Sequence, residues 1–524
     1  MITAVRIKNL RSLADTGFIE IKPITLFLGA NSSGKSTFLR SFPLFTQSVN
    51  KALRGPISWF DDSLVDFGDY DTAFNRFANL KDKIQFYYDA KLPFNVRYIR
   101  NDEDFMEKLL KKVTDMKISF ALSNDGKGTY ISSVSFDVKG VTISLSIQER
   151  SSKILFAVNE WVVNMGEATI KWNAATYNNI LPSFEYPDRN NPSLSWEQRG
   201  IHRFFLKNIT DFVKERSDKR LKSLSRVEAL INKWGLDREA YLKWLQEDSP
   251  IPSFKAYVAT WTVESAEYKE LFSQIALYRL LPLWDDIDME LTTLYAMCSY
   301  IAPARAEANR YYRTQGLQVN EIDPYGKNLQ EFISSLTPAQ LTSYNKYTQE
   351  TLGIQAHTKT ETGHQSIMVQ NERGEFNITD VGFGYSQILP IVTKLWYAVN
   401  RRQMRKRRMY YPGDSGDSVI LMEQPELHLH PAYQAKIADA FVRSVVLKKE
   451  KEESLRLMIE THSDTILNRI GRRVREGMIR PEDVNIILFE KKPGEQTTQL
   501  RQTTYNDKGQ IKEWPYGFFD PDQD

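Results

Sequence analysis

The sequence predicts an α/β fold whose strand–helix units lie at the two ends of the chain and frame a long insertion. Near the N-terminus, an apolar stretch within residues 18–28 leads into a glycine-rich loop and then a helical pattern. Near the C-terminus, the segments 419–422, 455–459 and 484–489, which are apolar except for Arg456 and Asn485, alternate with amphipathic helical patterns. This repeated strand–helix order is typical of a sheet that has helices packed on its faces.

Composition describes a globular chain of 524 residues and excludes several classes of protein. The chain is 41% hydrophobic and 26% charged, its net charge is +3, and its mean hydropathy is −0.45. No uncharged apolar run approaches the ~18 residues of a membrane span. Arg6, Lys8 and Arg11 interrupt the N-terminal apolar residues, which argues against a signal peptide. The single cysteine, Cys298, excludes an internal disulfide framework. We therefore expect a cytoplasmic protein with no membrane partner.

The strongest motif is a phosphate-binding loop directly after the stretch 18–28. Residues 29–37 read Gly-Ala-Asn-Ser-Ser-Gly-Lys-Ser-Thr, a full match to the pattern G-x-x-x-x-G-K-[ST]. In such a loop, backbone N–H groups and the helix N-terminus face a phosphate. Lys35 then reaches the β- and γ-phosphates, and the Ser36 hydroxyl binds Mg²⁺. The predicted nucleotide-binding residues of the loop are Asn31, Ser32, Ser33, Gly34, Lys35, Ser36 and Thr37.

A second chemical motif follows the apolar run 419–422, where the sequence reads Glu423-Gln424-Pro425-Glu426. A short apolar run that ends in a carboxylate is typical of a buried parallel strand that places an acidic side chain at the carboxyl edge of a sheet. Glu423 can bind Mg²⁺ there, directly or through water. The next buried strand, 455–459, leads into Glu460-Thr461-His462-Ser463-Asp464, in which Ser463 or Asp464 is expected to cap the following helix.

The order of these motifs resembles the ABC-type ATPase head shared by the structural-maintenance-of-chromosomes, RecF and overcoming-lysogenization-defect families. The segments that carry the resemblance are Ile7-Lys8-Asn9-Leu10-Arg11-Ser12, the signature-like Asp380-Val381-Gly382-Phe383-Gly384-Tyr385-Ser386-Gln387-Ile388-Leu389-Pro390, Glu423-Gln424-Pro425-Glu426-Leu427-His428-Leu429-His430-Pro431, Thr461-His462-Ser463 and Trp514-Pro515-Tyr516-Gly517-Phe518-Phe519-Asp520. They fall within residues 1–80 and 296–524. The resemblance implies an ABC-type P-loop ATPase head, with a mixed sheet, an antiparallel lobe and a helical insertion.

This resemblance also implies an active site that two heads share, with ATP and Mg²⁺ between them. The P-loop, Glu423 and His462 of one head would face the signature of another, and Arg11 and Ser12 would lie beside the nucleotide. Ser36 and Glu423 would hold the metal. The signature residues expected to bind the nucleotide are Gly382, Gly384, Ser386 and Gln387. We therefore expect a homodimer or a higher even-numbered oligomer formed through the heads.

Two positions depart from the usual pattern of these families. Gly382 stands where the signature usually has a serine, so the backbone and Ser386 would replace the missing hydroxyl. Many relatives have a water-activating glutamate where this chain has Gln424, and an amide cannot accept a proton as a general base. The expected catalytic residues are Glu423, Gln424, Glu426 and His462, with Glu426 as a substitute base. We expect slow hydrolysis, with ATP acting largely as a clamp between heads.

The middle of the chain carries the insertions, and we expect three segments. Residues 1–173 would form the N-terminal part of the head, with the P-loop and a β-rich lobe that includes a hairpin turn at 124–128. Residues 174–300 would form a helical insertion, and 301–524 the C-terminal part of the head, with the signature, the acidic strand end and the histidine switch. No heptad pattern persists long enough for a coiled-coil arm. The insertion is therefore expected to be compact and to meet a partner or nucleic acid.

Three further features leave alternatives open. His428, His430 and His462 are of a residue type that binds zinc, but the motif context favours a loop position for His430 and a position near the γ-phosphate for His462. Arg305 either contacts the nucleotide or the opposite head, or it pairs with a carboxylate. The run Arg401–Arg408 has six positive charges in eight residues. It is either a solvated loop or a contact with a nucleic-acid backbone.

Three functions compete. The motifs most resemble the ATPase of Septu-type anti-phage systems, including those attached to retrons; there the partner is a separate HNH-type nuclease and, in retrons, also a reverse transcriptase with its branched DNA–RNA product. The second function is a RecF-like DNA repair and recombination ATPase. The third is a self-contained nuclease like the overcoming-lysogenization-defect proteins, which carry a C-terminal Toprim domain that the residues after His462 leave too little room for. Because the sequence contains no HNH-like pattern, we expect no nuclease activity from this chain alone, and we favour the first function.

Overall fold

The computed structural model shows a mixed α/β protein, which confirms the fold class predicted from the sequence. The residues that the structure describes are 2–51, 53, 55–79, 81–92, 114–147, 154–164, 169–171, 179–185, 201–217, 224–313, 319, 321–361, 363–404, 417–490 and 497–513. Contacts within the chain divide it into two compact units, each assembled from separate stretches of sequence. The first comprises residues 1–6, 51–57 and 83–292, and the second comprises 7–50, 58–82 and 293–524. The predicted segment boundaries at 173 and 300 stay a prediction.

The strands are β1 Ile2–Leu10, β2 Leu13–Asp15, β3 Ile19–Glu20, β4 Ile24–Gly29, β5 Ile84–Leu92, β6 Thr114–Asn124, β7 Thr129–Val138, β8 Val141–Ile147, β9 Ile154–Val158, β10 Trp161–Asn164, β11 Thr169–Lys171, β12 Ser183–Glu185, β13 Cys298–Ile301, β14 Tyr312–Arg313, β15 Gln355–Glu361, β16 His364–Asn371, β17 Gly374–Asn377, β18 Ser418–Glu423, β19 Leu455–Glu460, β20 Val484–Glu490 and β21 Gln499–Thr503. The helices are α1 Lys35–Val49, α2 Tyr70–Ala73, α3 Ile201–Glu215, α4 Leu224–Lys233, α5 Arg238–Asp248, α6 Pro252–Val258, α7 Ala266–Leu280, α8 Leu283–Ala296, α9 Leu329–Ser334, α10 Pro338–Leu352, α11 Phe383–Met404, α12 Pro431–Glu450 and α13 Asp464–Arg475. None of these helices is long and apolar enough to cross a membrane.

The second unit is built on a six-stranded sheet with the order β13-β18-β19-β4-β20-β21. The first five strands are parallel to their neighbours, and β21 pairs antiparallel with β20 at the edge. Every residue of β4, β18 and β19 is buried, as expected for parallel strands covered on both faces. The register pairs Glu423 with Glu460, and Glu460 with Phe27. The carboxyl ends of three neighbouring strands therefore meet at one edge, where ligands bind in open α/β sheets.

Helices α12 and α13 follow β18 and β19 as the sequence predicts. Pro431 occupies the first turn of α12, and Ser463 caps α13, because its side chain accepts the N–H of Ile466 at 3.0 Å. The inward residues of these helices are buried and repeat at helical spacing: Ile437, Phe441, Val445, Ile466, Leu467 and Ile470. The core of this unit therefore lies between the parallel sheet and an apolar face on each helix.

The first unit contains antiparallel strands in the order β10-β9-β8-β7-β6-β5. Buried residues alternate along β8 and β9, which is the pattern of strands with one face on a core. The hairpin predicted at 124–128 is confirmed, since β6 and β7 pair and Asp125 Oδ1 accepts the N–H groups of Lys127 and Gly128. Among the helices of this unit, Phe272 packs against Trp234 and Tyr268. The β-rich strands and the helices thus share one compact unit.

Candidate nucleotide-binding site

The glycine-rich loop connects β4 to α1 in a backbone conformation that requires its glycines. Gly29 has φ 153° and Gly34 has φ 102°, both values that residues with a Cβ rarely adopt. A Cβ at Gly29 would lie 2.5 Å from the carbonyl oxygen of Phe489, and one at Gly34 would lie 2.7 Å from Leu13 Cδ2. No side chain caps the first turn of α1, and no acidic residue stands there. Its first N–H groups are therefore suited to receive an anion.

Lys35 is tied to its own loop. Its Nζ donates to the carbonyl oxygens of Gly29 and Ala30, both at 2.8 Å, and lies 3.8 Å from Glu460 Oε1. The residue is only 3% exposed, and burial lowers the pKa of its ammonium group while the charge of Glu460 opposes that shift. Lys35 therefore lies beside the carboxyl ends of β4 and β19, and its contact with phosphates stays a prediction.

Glu460, at the end of β19, is the carboxylate in contact with the P-loop serine. Ser36 Oγ donates to Glu460 Oε2 at 2.7 Å. Burial raises the pKa of Glu460, and the Ser36 hydrogen bond opposes this. Sequence reasoning did not single out Glu460, although it follows an apolar run just as Glu423 does.

The Glu423 carboxylate, expected to bind the metal, is held by Arg40 and Tyr300. Arg40 donates Nε to Oε1 and Nη2 to Oε2, each at 2.7 Å, and Tyr300 Oη donates to Oε1 at 2.7 Å. Glu423 is 2% exposed. Its carboxylate raises the pKa of Arg40, and burial together with Glu423 raises the pKa of Tyr300. Lys394 of α11 extends this network, since its Nζ donates to the Tyr300 carbonyl oxygen at 2.6 Å and burial lowers its pKa to about 8.

The turn after β18 positions Gln424 and Glu426 beside the histidine segment. Gln424 has φ 43°, and its backbone N–H donates to the Glu460 carbonyl oxygen at 2.8 Å. Glu426 Oε1 accepts the backbone N–H of His462 at 2.7 Å. Burial raises the pKa of Glu426, and its buried Oε2 has no hydrogen-bond partner within the part of the chain that the structure describes. The three expected catalytic residues of this turn and switch therefore adjoin one another.

Arg305 is buried beneath this turn, with 5% of its surface exposed. Its Nη2 lies 3.3 Å from the carbonyl oxygen of Pro425 and 3.4 Å from that of Leu427. Burial lowers the pKa of Arg305 to about 10, and the charge of Glu426 opposes the shift. The contacts of Arg305 are thus with backbone carbonyl oxygens of the turn. The two alternatives left open from the sequence, a contact with the nucleotide or the opposite head and a pairing with a carboxylate, stay predictions.

His462 follows β19, directly after Thr461, whose N–H donates to the Phe27 carbonyl oxygen of β4 at 3.2 Å. Burial and then the charge of Lys35 lower the pKa of His462, and its position near a γ-phosphate stays a prediction. His430 is the N-cap of α12, because its Nδ1 accepts the N–H of Ala432 at 3.2 Å. Across the described ranges, no group of three or more histidine, cysteine, aspartate or glutamate side chains is arranged to hold a metal ion.

Arg11 and Ser12 follow β1 directly. Arg11 donates Nη2 to the Asp66 carbonyl oxygen at 2.9 Å and its guanidinium carbon lies 4.3 Å from the centre of the Phe67 ring. Burial and then the charge of Arg40 lower its pKa. Ser12 Oγ would be 2.9 Å from a Cβ at Gly34. Ser12 therefore adjoins the P-loop, and Asn31 and Ser32 of the loop are exposed.

The signature residues divide into exposed and buried positions. Gly382 is exposed, has φ 95° and has open space around it, and Gly384 is half-buried. Ser386 and Gln387 are buried at the start of α11, with Gln387 at 1% exposure. Two other sequence features, residues 405–408 of the basic run and the ending 514–520, lie outside the described residues.

A P-loop at the carboxyl edge of a parallel sheet, with acidic residues on the neighbouring strands, defines a P-loop nucleotide-binding fold. The chain belongs to the family described as AAA domain, putative AbiEii toxin, Type IV TA system, whose model matches residues 24–468. It is thus a member of a P-loop ATPase family. A second model, that of a protein of unknown function (DUF3696), matches residues 479–523. A search of curated proteins found no match.

Two solved structures are similar to the chain over nearly its whole length. One is described as a crystal structure of the SmcHead bound to the C-winged helix domain of ScpA; it is 11% identical, with a TM-score of 0.35, and the match covers 96% of this chain and 98% of that chain. The other is the SMC head domain from Thermotoga maritima, 7% identical with a TM-score of 0.32, covering 95% and 98%.

Proposed function

We propose that the chain is the ATP-binding and ATP-hydrolysing subunit of an anti-phage defence complex, in which ATP-bound heads pair and regulate a separate HNH-type nuclease. In a retron setting, a reverse transcriptase and its DNA–RNA product would join the complex. The observation that carries the ATPase part is the convergence of Lys35, Ser36, Glu460 and His462 at one edge of the parallel sheet. The defence role rests on the motif resemblance and is supported by membership of a family whose description names a toxin system.

ATP binding would rearrange the contacts of the P-loop. Lys35 would exchange the carbonyl oxygens of Gly29 and Ala30 for the β- and γ-phosphates, and the uncapped N-terminus of α1 would receive the phosphate charge. Mg²⁺ would neutralise phosphate charge beside the Ser36 hydroxyl. His462, whose pKa is lowered by burial and then by the charge of Lys35, would be a hydrogen-bond partner near the γ-phosphate.

We expect slow hydrolysis because the residue directly after β18 carries an amide where a general base would need a carboxylate. Gln424 follows Glu423 directly and cannot take a proton from the attacking water. Glu426 is the substitute base expected from the sequence, and its Oε1 accepts the His462 N–H. A long-lived ATP state is what a clamp between heads requires.

The proposed regulation is a population shift. ATP held between heads would stabilise an assembly in which the nuclease is inactive, and loss of ATP or of a bound nucleic acid would favour the active or released nuclease. This mechanism requires ATP to bind the inactive assembly more tightly than the active one, because a ligand with equal affinity for both does not change their populations.

The decisive experiment is a gentle affinity purification of the tagged chain from its native host, with identification of every co-purifying protein and nucleic acid. The proposal expects an HNH-type nuclease whose cutting activity rises when ATP is removed, and no such response with Lys35→Ala, which should not bind ATP. Recovery of replication and repair factors on gapped DNA would instead establish the RecF-like function.

Head pairing has its own test at the exposed signature glycine. Gly382→Arg should block ATP-dependent dimerisation in light scattering while ATP binding by the isolated chain persists. Gly477→Arg is the matched control, because Gly477 is also exposed and has φ 71° with nothing near it. Equal dimerisation of the two variants would contradict pairing through the signature.

A further inference from the structure

We propose that Glu460 is the carboxylate ligand of the Mg²⁺ that accompanies ATP, and that Glu423 instead holds Arg40 and Tyr300. This inference rests on the proposed nucleotide-binding function and names a metal ligand that the motif does not. From the sequence, Glu423 was the expected carboxylate.

The first argument is the distance between Glu460 and the P-loop serine. Ser36 Oγ and Glu460 Oε2 are 2.7 Å apart. An octahedral Mg²⁺ binds oxygens at about 2.0–2.1 Å, which places adjacent ligand oxygens about 2.9 Å apart. The Ser36 and Glu460 oxygens would therefore have to move apart only slightly for one Mg²⁺ to bind both.

The second argument is that both oxygens of Glu423 are already engaged. Its Oε1 accepts from both Arg40 and Tyr300, and its Oε2 accepts from Arg40. Direct coordination by Glu423 would compete with a two-pronged guanidinium pair, which is among the stronger hydrogen-bonded contacts in proteins. Since Glu423 and Glu460 are paired in register, Glu423 lies one strand further from the P-loop strand β4.

The third argument is the charge arrangement at the loop. Glu460 Oε1 lies 3.8 Å from Lys35 Nζ, so Glu460 stands between the two P-loop side chains that meet the phosphates and the metal. The protein would then supply one hydroxyl and one carboxylate, and phosphate oxygens and water would complete the octahedron. Mg²⁺ is usually bound in this way, with few protein ligands.

Isothermal titration of ATP with and without Mg²⁺ tests the proposal through binding. Wild type should bind ATP more tightly when Mg²⁺ is present. Glu460→Gln should lose at least about tenfold of that gain, measured against the variant's own metal-free affinity, because the amide preserves the shape but is a poor Mg²⁺ ligand. Glu423→Gln should keep most of the gain. A full gain in Glu460→Gln, or its loss in Glu423→Gln alone or in both variants, would overturn the assignment.

A cysteine variant gives a readout that a structural role would not produce. In Glu460→Cys, Cd²⁺ should tighten ATP binding more than Mg²⁺ does, because thiolates prefer soft metals, and wild type treated with Cd²⁺ is the control. An unchanged metal preference in a folded Glu460→Cys protein would also overturn the proposal. If wild type binds no ATP under any condition, the proposed function itself fails, which is a different result.

Discussion

Replacement of Arg40 by methionine tests how much the ion pair between Arg40 and the buried Glu423 contributes to the free energy of unfolding. Arg40 supplies two of the three hydrogen bonds that Glu423 receives, each at 2.7 Å, and Tyr300 supplies the third. Methionine keeps the aliphatic bulk of the arginine side chain and removes both donors and the positive charge. The variant therefore leaves an anion buried beside a single hydroxyl donor.

The expected loss follows from burial and from the contact that remains. Breaking a buried ion pair by removing one partner costs about 3–5 kcal/mol. The cost is lower here because Arg40 is 35% exposed and Tyr300 keeps its bond, so we expect about 2–3 kcal/mol of unfolding free energy. Adding Glu423→Gln removes the stranded charge and should recover about 1–2 kcal/mol.

Urea unfolding of the nucleotide-free wild type, both single variants and the double variant completes a double-mutant cycle. We expect a coupling of about 1.5 kcal/mol or more between the two positions, since residues in one buried network are not additive. A coupling below about 0.5 kcal/mol, the scatter of independent sites, would refute the structural role of the pair. It would also leave Glu423 available to a metal.

Three further predictions concern the turn, the switch and the packing of α13. Gln424→Glu should raise phosphate release at least about tenfold, because a general base contributes 10²–10⁴-fold; an unchanged rate would show that residue 424 does not face the attacking water. The folded-state pKa of His462 is lowered, so the unfolded chain binds a proton there at a higher pH than the folded chain does. The free energy of unfolding should therefore fall as the pH drops through about 6.5. In His462→Asn, the melting temperature should depend less on pH in this range. Gly471→Ala should cost about 1–3 kcal/mol more in thermal unfolding than Gly477→Ala, because its Cβ would lie 2.3 Å from the Gly509 carbonyl oxygen, whereas Gly477 is open; equal losses would contradict that packing.

The strands of the second unit were predictable because burial on both faces leaves a continuous apolar run in the sequence. Residues 419–422 are such a run, and 455–459 is one except for the buried Arg456; both lie in fully buried strands. The P-loop was predictable because only glycine fits at residues 29 and 34. In each case the physical constraint acts on a few consecutive residues, so it is visible in a local pattern.

The partners of the acidic residues were not predictable in this way. Glu423 and Glu460 end adjacent strands at the same level and follow similar apolar runs. The difference between them comes from Arg40 on α1 and Tyr300 on β13, which belong to distant parts of the chain. Likewise, no local pattern indicates that residues 1–6 and 51–57 join residues 83–292 in one compact unit.

The turn after β18 begins at the carboxyl edge of the parallel sheet and lies close to Gly384 in the signature segment 380–390. Its N-terminal side is fixed by the Gln424 N–H on the Glu460 carbonyl oxygen, and its C-terminal side includes Leu429, whose N–H donates to the Glu426 carbonyl oxygen. A Cβ at Gly384 would lie 3.9 Å from Leu429. The turn therefore lies close to the first turn of α11, directly after the exposed Gly382. If ATP binds at the P-loop as proposed, this contact is a short physical route by which a movement of the turn would reach the signature segment.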